Sequence, residues 1–209
     1  MTASEDRYKI AVLVGSLRAA SFTRKLAKAL IALAPDDLAC EVVEIGDLPL
    51  YNEDLEAQAP AAWTRFRRAI KAADGVLFAT AEYNRSIPGC LKNAIDVGSR
   101  PFGQNVFDGR AGAVISQTPG AMGGFGANHA VRQSLVFLNV PVMQQPEAYI
   151  GHVGTLFGED GAITREDTRA FLAAFMEAYA AWVHLTRPRH RLRRDGEPAD
   201  ANDRATAQD

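Results

Sequence analysis

Cysteine is scarce in this chain: of 209 residues only Cys40 and Cys90 are cysteines, and they match neither a disulfide framework nor a C-x-x-C motif. They read as two small, reduced interior residues. Long hydrophobic runs are missing too, since none approaches the roughly 20 apolar residues that span a bilayer. Met1-Thr2-Ala3-Ser4-Glu5-Asp6 lacks the basic and apolar parts of a signal peptide, so the expected compartment is the cytoplasm. There is no excess of charge of one sign. With 23 basic and 25 acidic side chains the net charge is −2, which gives no general attraction to nucleic acid or an anionic membrane. His129, His152, His184 and His190 form no H-E-x-x-H pattern, no Cys/His set has zinc-ligand spacing, and no G-x-S-x-G elbow occurs.

What is present is a regular alternation. Short apolar runs take turns with segments of helical period, the pattern of a parallel sheet covered on both faces. Ile10 to Val14 is too continuous for a half-exposed strand and suits a buried central one. A helix follows with Leu26, Leu30 and Leu33 on one face, and Pro35 stops it. Cys40 to Ile45 reads as the second strand and 46–54 as a long loop. A helix carrying Trp63, Phe66 and Ile70 leads to a third strand, Val76 to Thr80. Pro88 opens the next helix. Ala113 to Ser116 is a fourth strand, Val131, Leu135 and Leu138 mark a fourth helix, and Val140 to Met143 reads as a short fifth strand. The last helix, about Arg165 to Thr186, is expected to bury Phe171, Phe175, Tyr179 and Trp182. The expected fold is α/β, a flavodoxin-like three-layer sandwich with a five-stranded parallel sheet in the order 2-1-3-4-5. It occupies residues 9–186, after a flexible N-terminus (1–8) and before a disordered polar tail (187–209) that begins with five arginines between Arg187 and Arg194.

Ligands of such sheets bind beyond the carboxyl ends of the strands, where the strand order reverses. The loop after the first strand, Gly15-Ser16-Leu17-Arg18-Ala19-Ala20-Ser21, enters a helix, and free N–H groups, hydroxyls and a guanidinium there suit an anion. The plainer alternative is a Ser21 helix cap with Arg18 solvated. A Walker loop is absent, because Gly98 to Gly103 continues with Gln104-Asn105, and Gly124-Phe125-Gly126-Ala127-Asn128-His129 fails the dinucleotide G-x-G-x-x-G pattern. A mononucleotide phosphate is therefore favoured over a pyrophosphate. After the third strand, Glu82 to Gly89 offers Tyr83 and Asn84 to a planar heterocycle. After the fourth, Ser116 or Gln117 can bond the edge of a ring.

Together, Gly15-Ser16-Leu17-Arg18-x-x-Ser21, Glu82-Tyr83-Asn84-Arg85-Ser86-Ile87-Pro88-Gly89 and Leu91-Lys92-Asn93-Ala94-Ile95-Asp96 resemble the NADPH-dependent FMN reductase family, which includes quinone, chromate and azo-dye reductases. The resemblance covers about Lys9 to Trp182. It implies bound FMN, with NADPH or NADH as donor and a small-molecule acceptor: a quinone, metal oxyanion, ferric chelate, azo compound or free flavin. It also implies a homodimer or homotetramer. By resemblance, Ser16, Arg18, Ser21, Phe22 and Thr23 hold the phosphate and ribityl chain, Glu82, Tyr83 and Asn84 contact the ring, Arg85 is counted with the cofactor-binding residues, and Ser116 sits by the ring's far edge. Arg85 and Arg100, with Tyr51 and Asn52, are candidates for contact with the nicotinamide or an anionic acceptor, and the 49–52 loop resembles a segment near the dimer interface and flavin pocket. No residue is required as a catalytic acid or base, since the flavin carries the chemistry. Two positions depart from the family's pattern. Ala81 stands where proline is usual, and Gly126 where many relatives carry arginine. The alternative is a flavodoxin-like electron carrier or redox sensor, against which the mild charge counts.

Overall fold

The computed structural model describes residues 7–159 and 161–196, with side chains as far as Thr186. The elements are β1 (Tyr8–Gly15), α1 (Phe22–Ala32), β2 (Leu38–Val42), a 3-10 turn (Glu53–Gln58), α2 (Ala61–Lys71), β3 (Gly75–Ala81), α3 (Gly89–Ser99), β4 (Ala111–Gln117), α4 (Phe125–Phe137), β5 (Ala148–Ile150), a second 3-10 turn (Val153–Thr155) and α5 (Glu166–Gly196). The strands form one parallel sheet in the expected order β2-β1-β3-β4-β5.

Each central strand feeds two cores, because successive side chains point to opposite faces. Ile10, Val12, Val14, Leu77, Ala79, Ala113 and Ile115 face α1 and α5. Ala11, Leu13, Val76, Phe78 and Val114 face α2, α3 and α4. That is why the strands read as unbroken apolar runs. Trp63, Phe66 and Ile70 of α2 are buried, as their spacing predicts. In α5 Phe175 and Tyr179 are buried, while Phe171 and Trp182 are half-buried. Full burial of one such side chain stabilises the fold by about 1.5–3 kcal/mol.

Several boundaries differ from the sequence reading. The fifth strand is Ala148–Ile150, paired with Ile115 to Gln117, and not Val140–Met143. Val142 makes only an isolated bridge to Gly112. The 140–143 run is apolar because it is buried, and Pro141 and Pro146, which have no N–H, break up this edge. β2 begins at Leu38 and ends at Val42, and Ile45 packs beneath α2 instead of extending the strand. The long loop runs into the Glu53–Gln58 turn, whose N–H at Asp54 donates to Asn52 Oδ1 at 3.1 Å. Arg7 and Tyr8, read as part of a flexible leader, are held: Arg7 donates to the Leu38 carbonyl at 2.6 Å, and Tyr8 starts β1. The segment from Arg187, read as disordered tail, continues the α5 backbone to Gly196, whereas residues 1–6 and 197–209 lie outside the described residues.

At the amino end of the sheet, side chains close the helices. The buried Arg110 guanidinium donates to the Ile70 and Lys71 carbonyls at 2.7 Å, capping α2. Arg67 donates to the Val97, Gly98 and Arg100 carbonyls at the end of α3. Cations suit helix C-termini, where carbonyls lack partners within the helix.

Candidate functional site at the carboxyl end of the sheet

The β1–α1 turn is an open cradle. From Leu17 to Thr23 no backbone N–H donates to another group among the described residues. Ser16 and Ser21 are buried beneath it, whereas Arg18 is exposed. Ser21 does cap α1, its Oγ accepting from the Arg24 N–H at 3.1 Å, so the plain reading of that residue is correct as far as it goes. Arg18 is held loosely, by one bond to the Ala20 carbonyl at 3.1 Å and by lying 5.8 Å from the centroid of the Phe22 ring. Phe22 stacks on Phe157, and the Lys25 ammonium lies 5.8 Å from the centre of the Phe157 ring. Arg24 is spent on Glu44 at 2.7 and 2.8 Å. Free N–H groups thus lie at the positive end of α1, and two cations, Arg18 and Lys25, lie 5.8 and 6.0 Å from the Phe22 ring that begins the helix. Lys25 and Phe157 were not read from the sequence, since nothing local marks them.

The loop after β3 is a tight hairpin. Tyr83 and Ser86 exchange backbone hydrogen bonds at 3.1 and 3.0 Å, and Asn84 and Arg85 have φ of 51° and 64°. Two central residues with positive φ give the primed turn that closes such hairpins. The turn leaves Tyr83 and Asn84 exposed at its tip. Glu82 points the other way. Its side chain is only 7% exposed, and Oε2 accepts the Ala127 N–H at 3.1 Å at the start of α4. Arg85 Nη1 lies 3.4 Å from Glu82 Oε1 and 3.2 Å from Met122 Sδ. A Cβ on Gly126 would lie 2.6 Å from the Arg85 carbonyl oxygen, so in this conformation the position has no room for the arginine of relatives.

In β4, Ser116 is fully buried, and its hydroxyl donates to the Gly123 carbonyl at 2.8 Å and accepts from Asn128 at 3.2 Å. That hydroxyl is committed to holding the glycine-rich loop and is not at the surface. Its neighbour Gln117 donates to Thr23 Oγ1 at 2.7 Å, and the buried Gln117 Oε1 has no partner. Thr23, buried too, thus joins α1 to β4. Tyr51 and Arg100 come together, but with acidic partners. Arg100 donates to Glu53 at 2.8 Å and Glu56 at 2.9 Å and lies 5.7 Å from the centroid of the Tyr51 ring. Tyr51 donates to Glu56 at 2.8 Å. The Arg100 contact, then the Tyr51 hydroxyl, hold the Glu56 carboxyl below its ordinary range. Asn52 is taken up by its turn. Tyr51, Glu56 and Arg100 line a cleft of about 480 Å³ together with Trp63, Arg67 and Pro101 along α2 and α3, and no residue of the cradle lines it. The described residues contain no cluster of three or more His, Cys, Asp or Glu side chains that could hold a metal ion. No helix among them is long and apolar enough to cross a membrane.

The family model described as NADPH-dependent FMN reductase matches residues 8–155. The chain belongs to this family. A quinone reductase of Pseudomonas putida is 62% identical over 181 residues, which cover 86% of this chain and 97% of that one. A 2-hydroxy-1,4-benzoquinone reductase of a Burkholderia species is 48% identical over 175 residues, 84% of this chain and 96% of its own. Among solved structures, FerB, a flavoenzyme NAD(P)H:(acceptor) oxidoreductase of Paracoccus denitrificans, superposes with a TM-score of 0.82 at 42% identity, covering 86% of this chain and 98% of FerB. As a member of the NADPH-dependent FMN reductase family the protein is an oxidoreductase that uses FMN with NAD(P)H as electron donor, which decides against the electron carrier.

Proposed function

We propose that this protein draws electrons from NAD(P)H into FMN held at the carboxyl end of the sheet and delivers them to a quinone. The observation that carries the placement is the run of undonated N–H groups from Leu17 to Thr23 at the head of α1. Such a nest takes a phosphate without any rearrangement. Arg18 closes over it, with Lys25 as a second cation. The unpartnered Gln117 Oε1 is an acceptor awaiting a donor, and a ribityl hydroxyl supplies one, with Thr23 fixing the amide from behind. Tyr83 and Asn84 present the hairpin tip to the ring. Leu17, Tyr83, Met122 and Phe125, all about half exposed, form an apolar rim that excludes water from it. The bound flavin supplies the redox chemistry, and the protein binds, orients and shields it. Arg85, 73% exposed and weakly held, is the cation we assign to the anionic part of the donor or acceptor, because Arg100 is tied to two glutamates.

The quinone acceptor is supported by the names of two relatives, a quinone reductase and a 2-hydroxy-1,4-benzoquinone reductase. We further propose a homodimer or homotetramer working in the cytoplasm. Phe102 and Phe137, 90% and 88% exposed, support a covered face, and light scattering on the purified protein reads its mass. The deciding experiment on function is spectroscopic. The purified protein is expected to be yellow, to bleach when NADH or NADPH is added without oxygen, and to regain colour with 1,4-benzoquinone. A colourless protein that cannot be reconstituted with FMN would sink the reading.

A further inference from the structure

We propose that Glu82 is a positioning residue: it caps α4 from outside that helix, and with Gly126 it forms a joint that fixes the shape of the Tyr83–Ser86 hairpin. The inference rests on the reading that this hairpin receives the flavin. It gives Glu82 a different task from the ring contact implied by family resemblance.

α4 cannot cap itself. The residue before it, Gly124, has φ of 81° and no side chain to cap with, and the local sequence gives only a backbone bond, from the Phe125 N–H to the Met122 carbonyl at 3.2 Å. Four N–H groups at a helix start need acceptors, and the end carries partial positive charge. Glu82, at the end of β3, supplies an acceptor through Oε2 to the Ala127 N–H at 3.1 Å, from a carboxylate almost wholly removed from solvent. The same residue leads directly into the hairpin. The contact therefore ties the hairpin to α4, and through Asn128, Ser116 and the Gly123 carbonyl to the glycine-rich loop.

Gly126 is the other half of the joint. Its missing side chain lets the first turn of α4 rest against the Arg85 carbonyl, where a Cβ would come within 2.6 Å, and against Glu82 Oε2, where it would come within 3.0 Å. Asn84 and Arg85 hold a left-handed conformation that side-chain-bearing residues adopt only when their surroundings fix it. Glu82 and Gly126 are those surroundings. Ala81 fits the same picture: without the usual proline, the hairpin is held by the contact at its far side.

The test uses the apoprotein titrated with FMN, read by quenching of flavin fluorescence, together with amide exchange at Ala127 in the absence of FMN. Glu82→Ala should weaken FMN binding roughly 10- to 100-fold and speed exchange at Ala127, as loss of a buried cap implies. Glu82→Gln keeps an acceptor oxygen and should stay within about threefold of wild type in both readouts. Gly126→Ala should push in the same direction as Glu82→Ala. The double variant should lose less than the product of the two single losses, because both act on one joint. The proposal is overturned if Glu82→Gln binds FMN as poorly as Glu82→Ala while protecting Ala127, which would mean that the carboxylate meets the flavin directly. Unchanged exchange at Ala127 in Glu82→Ala overturns it equally. A wild-type protein that takes up no FMN defeats the flavin reading alone, and the exchange comparison still decides the joint.

Discussion

The two ends of the sheet are built on opposite principles. At the amino end, arginines are spent on closing helices: Arg110 on the last carbonyls of α2, Arg67 on those of α3. The Tyr8 hydroxyl, His184 and Asp37 add a chain of contacts at 3.2 and 2.5 Å that ties α5 to the strands. At the carboxyl end, the N–H groups from Leu17 to Thr23 have no partners among the described residues, Gln117 keeps a buried bare oxygen, and Asn84, Arg85 and His152 sit in the left-handed region. Polar groups without partners cost stability, so each open group at this end weighs against the fold that carries it. On the proposed function, the contrast separates an end that works from an end that holds.

The comparison can be broken from either side. The largest effect should come from the holding end. Arg110→Ala strips two buried carbonyls of their donor and should lower unfolding free energy by about 2–4 kcal/mol, while the folded protein keeps its FMN affinity. Urea unfolding and a flavin titration read the two quantities separately. At the working end the pattern should invert. Arg18→Ala should raise the FMN dissociation constant about 10- to 100-fold, the range of a charge-assisted bond, with almost no change in apoprotein stability. Equal affinity in mutant and wild type would refute the assignment of Arg18. Gln117→Leu should weaken FMN binding by roughly 5- to 10-fold, one neutral hydrogen bond, and calorimetric titration can detect it. The smallest effect concerns Glu56. Its folded carboxyl titrates below the ordinary value of about 4.3. The stability it contributes is thus complete above that value and lost as pH falls through the lower folded one. Arg100→Gln should flatten this loss in urea midpoints measured from pH 6 to 3, and should leave the KM for NAD(P)H unaltered.

What could be read from the sequence follows from the range of the forces involved. The open β1–α1 turn was legible because a strand, a Gly-Ser turn and a helix start are contiguous, and a helix start leaves N–H groups free. The strand order was legible because buried parallel strands carry a continuous apolar signature. The bond from the Ala127 N–H to Glu82 was not legible, because the two residues lie 45 positions apart. Arg100 looked free for the same reason: Glu53 and Glu56, which hold it, belong to a turn that showed no periodicity. The fifth strand was misplaced because burial and strand pairing part company there. Val140 and Val142 are buried in the core, while the pairing passes to Ala148–Ile150.

That broken edge has a consequence of its own. An open sheet ends in a row of unpaired peptide groups that can recruit another strand, and long, flat edges are where chains begin to stick together. Here the outer edge beside β4 is interrupted by Pro141 and Pro146 and finishes in a strand of only three residues. The border is too short and too ragged to serve as a template. The same irregularity that hid the fifth strand in the sequence thus makes this edge a poor seed for aggregation.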